Sequence, residues 1–114
     1  LYWGPKLMAE ALGIGDIYIT ENGTSSTAAP DAKGRVLDID RVMFLRQYLG
    51  ELQRGIADGA PVRGYFLWSL LDNFEWSRGY SERFGITYVD FATQKRTPKL
   101  SSQFYRGVIA NNAV

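Results

Sequence analysis

Gly64-Tyr65-Phe66-Leu67-Trp68-Ser69-Leu70-Leu71-Asp72-Asn73-Phe74-Glu75-Trp76 opens as an apolar run and ends with a carboxylate between aromatic rings. The run from Gly64 to Leu70 is mostly apolar at odd and even positions alike, as in a parallel strand covered on both faces. A second stretch repeats the plan: Ile17-Tyr18-Ile19-Thr20 is a short apolar strand, followed at once by Glu21-Asn22-Gly23. Both segments deliver an acid at the carboxyl end of a strand, which is where an α/β barrel keeps its chemistry.

Between them lies one helix. From Asp38 or Asp40 onward, Val42, Leu45, Leu49, Leu52 and Ile56 recur at spacings of three and four, forming one apolar stripe that stops near Gly59. Arg46, Gln47, Glu51 and Arg54 fall on the other face. Strand, helix and strand read as a right-handed parallel crossover. Pro5 opens a short helix through Ala11, which Gly13 ends. Residues 23–35 read as a long surface loop, and Phe84 to Asp90 as an extra strand. Thr97-Pro98 reads as a cap and first-turn proline before a last helix that buries Phe104, Tyr105, Val108 and Ile109.

Composition narrows the chemistry. The 114 residues carry thirteen basic and twelve acidic side chains with no block of like charge, so no nucleic-acid or anionic-membrane partner is expected. There is no Cys and no His. Thiolate ligands, imidazole ligands and Ser-His or Cys-His nucleophiles are therefore excluded, no cofactor or metal is expected, and carboxylate chemistry remains. No apolar run approaches the ~20 residues that span a bilayer. The start, Leu1-Tyr2-Trp3-Gly4-Pro5, lacks the basic leader and apolar core of a signal peptide, and a cytoplasmic location is expected over a secreted one. Two parallel strands expose both edges, so the segment is expected to need neighbouring strands, upstream in the same chain or from another.

Several motifs now stand in order: Tyr18-Ile19-Thr20-Glu21-Asn22-Gly23, the stretch Gly64 to Trp76, Arg83-Phe84-Gly85-Ile86-Thr87-Tyr88-Val89-Asp90, and Gln94-Lys95-Arg96-Thr97-Pro98-Lys99. Together they resemble the carboxyl-terminal quarter of family 1 glycoside hydrolases, the β-glucosidases and their relatives. The resemblance implies an α/β fold in which residues 1–114 are the C-terminal segment of one (β/α)8 TIM barrel domain, supplying its seventh and eighth βα units and incomplete alone. It implies that Glu21 is the nucleophile of a retaining enzyme acting on unphosphorylated β-glucosides or related β-glycosides. The family's acid/base Glu lies in an Asn-Glu-Pro motif that this sequence lacks, so the N-terminal remainder of the barrel is the expected partner. Glu75 and Trp76 match positions that hydrogen-bond sugar hydroxyls, Trp68 would lie beneath the pyranose ring, and Phe84 would close the pocket. A cis peptide between Trp68 and Ser69 is also implied.

Other readings stay open beside these. The alternative for Trp68 and Trp76 is core packing, a minor reading beside the sugar-facing one. Arg78, Arg83, Lys95, Arg96 and Lys99 read as solvated loop cations with local ion pairs. For the chain as a whole, the alternative is a non-catalytic barrel segment used in sugar binding or subunit assembly.

Overall fold

The computed structural model describes all residues from 1 to 114. Helix α1 (Trp3–Leu12) leads to strand β1 (Ile17–Asn22), helix α2 (Ile39–Ala57) and strand β2 (Val62–Leu67). A single 3₁₀ turn (Trp76–Arg78), strands β3 (Thr87–Val89) and β4 (Arg96–Pro98), and helix α3 (Leu100–Asn111) complete the chain. Gly13 ends α1 in the left-handed region, at φ 64°, a conformation that glycine adopts without a Cβ penalty.

β1 and β2 are parallel neighbours, as the crossover predicts. Ile17 faces Val62, Tyr18 faces Gly64, Ile19 faces Tyr65 and Asn22 faces Leu67. α2 packs behind them through Leu45, Leu49 and Leu52, against which Ile19, Val62, Tyr65, Phe104 and Val108 rest. Val42 and Ile56 sit outside this buried line, and Arg41 and Gly55 fall on it instead. Ile109 is likewise exposed on α3.

The strand expected through Leu70 stops at Leu67, because the following backbone changes partners. Trp68 N–H still donates to Asn22 at 2.9 Å, but Ser69 N–H donates to Phe84 at 3.1 Å and Asp72 N–H to Thr87 at 3.1 Å. The Trp68-Ser69 peptide is cis. β3 occupies only the last part of Phe84 to Asp90, and it pairs antiparallel with β4, a strand the sequence reading lacks. Thr97 and Pro98 therefore belong to β4, and Lys99, not Thr97, precedes the first turn of α3.

Only 19 of the 114 residues are buried, and Tyr18 and Phe66 are each 58% exposed on the sheet. The apolar cover expected on both faces of β2 is present on the α2 side alone. The radius of gyration is 15.8 Å and the narrowest extent 18 Å, whereas a compact domain of this length has a radius near ~13 Å. The shape is a thin sector, with both sheet edges and one sheet face unpartnered.

Candidate functional site

Glu21 occupies a β-bulge. Between the pairs Ile19–Tyr65 and Asn22–Leu67, β1 holds two residues, Thr20 and Glu21, where β2 holds only Phe66. The extra residue breaks the two-residue alternation, and Thr20 and Glu21 are consecutive and both exposed. A bulge re-aims a side chain at a strand end without breaking the flanking pairs.

The turn after Glu21 is fixed to β2. Asn22 accepts from Trp68 N–H at 2.9 Å, and its side-chain oxygen accepts from the Tyr65 hydroxyl at 2.9 Å. Burial pushes the Tyr65 hydroxyl's pKa above its ordinary value, the nearby Tyr105 adding to the shift. Gly23 passes so close to Trp68 that a Cβ there would lie 1.7 Å from the Trp68 carbonyl oxygen. Only a residue without a Cβ closes this junction.

Phe84 is brought to the same end by backbone bonds: its carbonyl accepts from Ser69, and Ile86 N–H donates back to Ser69 at 2.9 Å. A Cβ on the adjoining Gly85 would lie 2.1 Å from the Asp72 nitrogen. Glu21, Trp68 and Phe84 are thus held around one junction, with Trp68 and Phe84 half-buried.

Glu75 and Trp76 sit on the next loop. Glu75 N–H donates to Gly79 at 2.7 Å and its carbonyl accepts from Arg78 at 2.8 Å, closing a tight turn. Trp76 has φ 41°, a left-handed conformation that is strained for a bulky side chain, and the residue is 81% exposed. On either side of this turn, Phe74 meets Tyr80 with ring centroids 5.7 Å apart, and Tyr80 meets Phe91 at 4.6 Å. An exposed indole and a half-buried carboxylate on a braced loop form a hydrogen-bonding surface for a polyhydroxylated molecule.

Just before this loop in the chain, Asp72 centres a buried ionic hub. Asp72 Oδ1 accepts from Lys99 Nζ at 2.9 Å and from Gly85 N–H at 3.1 Å. Its Oδ2 accepts from Arg83 Nη1 at 2.7 Å and from Val89 N–H at 3.3 Å. Lys99 is fully buried, which corrects its reading as a solvated loop cation. Burial and then the charge of Arg41 lower its pKa, while the bond to Asp72 opposes them. Arg83 stacks on Tyr88 at 4.2 Å as well, so it too is tied down. The sequence offered one signal for such burial: Arg41, part of a second ionic cluster with Asp38, lies in the register of the apolar stripe.

An apolar groove of about 640 Å³ lies elsewhere, between α2, β2 and α3 and lined by Leu49, Leu52, Val62, Tyr65 and Val108. It contains none of the candidate residues. No three acidic, His or Cys side chains converge as metal ligands, and no helix is long and apolar enough to cross a membrane.

With this geometry in place, the chain can be set beside known proteins. The family model described as glycosyl hydrolase family 1 matches residues 5–114. β-Glucosidase A of Thermotoga maritima is 46% identical over 114 residues, all of this chain and 26% of that protein. A 6-phospho-β-galactosidase of Staphylococcus epidermidis is 50% identical over 91 residues, 79% of this chain and 19% of that protein. Among solved structures, a family 1 β-glucosidase from Thermotoga maritima in complex with isofagomine lactam superposes with a TM-score of 0.97 over 99% of this chain and 26% of that one. The 114 residues thus span about a quarter of the relatives they match and correspond to a sector of their barrel.

Proposed function

The chain belongs to glycosyl hydrolase family 1, and from that premise we propose that it carries the nucleophile and part of the sugar-binding wall of a retaining β-glycosidase. The observation that carries this reading is the bulge at Glu21, locked to Trp68 by the Asn22 and Gly23 junction. In the proposed double displacement, a Glu21 carboxylate oxygen bonds to the anomeric carbon as the bond to the aglycone oxygen breaks. A second carboxyl protonates that leaving oxygen, then as a carboxylate draws a proton from the water that cleaves the glycosyl ester. No Asn-Glu-Pro occurs in this sequence. The acid is supplied by the remainder of the barrel, in which these residues form the seventh and eighth units.

Trp68 lies beneath the sugar ring, Glu75 accepts from sugar hydroxyls, the Trp76 indole N–H donates to one, and Phe84 closes the wall. The relatives include both a β-glucosidase and a 6-phospho-β-galactosidase, so likeness alone does not set the substrate. Glu75 favours a sugar without a phosphate, because a carboxylate in this loop would repel one. The proposed substrate is an unphosphorylated β-glucoside or related β-glycoside.

The test is a graft in which residues 1–114 replace the matching quarter of the Thermotoga maritima enzyme. The graft is expected to cleave aryl β-glucosides in preference to their 6-phosphates. Glu21→Gln should lower kcat by at least roughly a thousandfold, the order of loss when a reacting group is removed. Azide should restore turnover to Glu21→Ala, leaving as the glycosyl azide. An active Glu21→Gln graft would demote Glu21 to a structural role, and an inactive parent graft would favour a non-catalytic segment.

A further inference from the structure

Arg41 is only 1% exposed; it stands in none of the sequence motifs and hydrogen-bonds none of the proposed sugar-binding side chains. Its guanidinium donates in three directions. Nε donates to the Thr24 carbonyl at 3.1 Å, in the loop that leaves Glu21. Nη1 donates to the Gly85 carbonyl at 2.6 Å and Nη2 to the Arg83 carbonyl, the two residues that flank Phe84. Nη1 is also paired with Asp38, and Asp38 accepts from the Ser101 N–H at 2.9 Å and the Ser101 hydroxyl at 2.6 Å.

One rigid, planar group therefore joins the loop after Glu21 to the loop bearing Phe84, and anchors both to α2 and α3. The same two loops meet directly once, where Ser26 N–H donates to the Arg83 carbonyl at 3.1 Å. An ammonium group would keep the charge opposite Asp38, but it lacks the fixed fork that reaches separated carbonyls at set angles.

We propose that Arg41 is a positioning residue for glycoside cleavage, setting the place of the Glu21 carboxylate relative to the Phe84 wall. This rests on the reading of Glu21 as nucleophile. Because Arg41 touches no substrate, it acts through geometry, to which a reaction between bound groups is steeply sensitive.

The experiment uses the same graft and compares Arg41→Lys, Ser101→Ala, Leu49→Ala and Glu21→Gln, at a temperature where circular dichroism shows each folded. Leu49→Ala removes core volume far from the fork and sets the kinetic effect of lost stability alone. Arg41→Lys is expected to lower kcat/KM for an aryl β-glucoside by about tenfold to a hundredfold, chiefly through kcat. Leu49→Ala should leave kcat/KM within about twofold while lowering the melting temperature. Should Arg41→Lys not fold, Ser101→Ala, which loosens only the anchor of Asp38, should lower kcat by about threefold or more. An Arg41→Lys variant that melts early but keeps parental kcat, or an unchanged kcat in Ser101→Ala where that variant stands in, overturns the proposal. An inactive Glu21→Gln beside an unaffected Arg41→Lys removes the role of Arg41 alone. An active Glu21→Gln, or an inactive parent, removes the underlying reading and the role of Arg41 with it.

Discussion

The α-carbon of Gly23 approaches the Trp68 carbonyl so closely that any side chain at residue 23 would overlap its oxygen, a Cβ falling 1.7 Å away. This contact sets the spacing between the end of β1, which carries Glu21, and Trp68, the residue that follows β2. Since the obstacle is backbone, no rotamer change relieves it. Gly23→Ala should cost about 3 kcal/mol, the upper range for an overpacked site. In the grafted enzyme it should also lower kcat/KM by roughly a hundredfold, the scale of a 1 Å misplacement. Melting curves and steady-state kinetics check both, and parental kinetics would uncouple the junction from catalysis.

Asp72 is the common partner of two cations, Lys99 and Arg83. Removing it strands the fully buried Lys99, so Asp72→Leu should destabilise by about 3 to 5 kcal/mol. Removing Lys99 as well takes away that isolated charge. The double variant Asp72→Leu with Lys99→Met should therefore be more stable than the sum of the singles by about 1 kcal/mol or more. Urea unfolding of the four proteins gives this coupling directly, and additive losses would show that the pair contributes only shape.

Tyr65 predicts the alkaline limit of stability. Its folded-state pKa lies above the ordinary 10.0, with burial the main cause. Its contribution is complete below pH 10 and declines as pH rises above it, because the unfolded chain then releases a proton that the folded chain retains. The slope is at most about 1.4 kcal/mol per pH unit for one proton. Tyr65→Phe should flatten the fall in melting temperature above pH 10, at the cost of the hydrogen bond to Asn22 at neutral pH. A slope identical to the parent's would assign the alkaline loss to other groups.

Residues 1–114 expressed alone should associate and should not hydrolyse aryl β-glucosides. The sheet has two open edges and exposes Tyr18 and Phe66, while α1 exposes Trp3, Leu7 and Leu12. Sedimentation velocity and an activity assay test the two parts separately. A monodisperse active monomer would overturn both.

Much of the crossover could be read from the residues. Leu45, Leu49 and Leu52 recur at helical spacing, and the parallel pairing of Ile17–Asn22 with Val62–Leu67 follows from the helix between them. What could not be read depends on partners distant in sequence. β2 ends at Leu67 because the backbone of Ser69 and Asp72 bonds to residues 84 and 87, which no local pattern announces. Lys99 looks solvated among Lys95, Arg96 and Thr97, yet Asp72, far back along the chain, draws it inside. β4 is only Arg96–Pro98 and ends in proline, so it carries no strand signature of its own. The bulge was equally hidden, since Thr20 and Glu21 look like ordinary alternation until Phe66 is seen to face both.

That bulge makes the aim of Glu21 a matter of chain length as well as residue type. Ile19 and Asn22 keep their partners on β2 whether one residue or two lies between them, so deleting Thr20 would heal the strand and leave Glu21 alone opposite Phe66. The pleat would then dictate which way the carboxylate points. Residue 20 would thus tolerate many side chains but no loss of the residue itself, and a one-codon deletion there is expected to silence the proposed nucleophile while leaving every proposed sugar-binding residue in the chain.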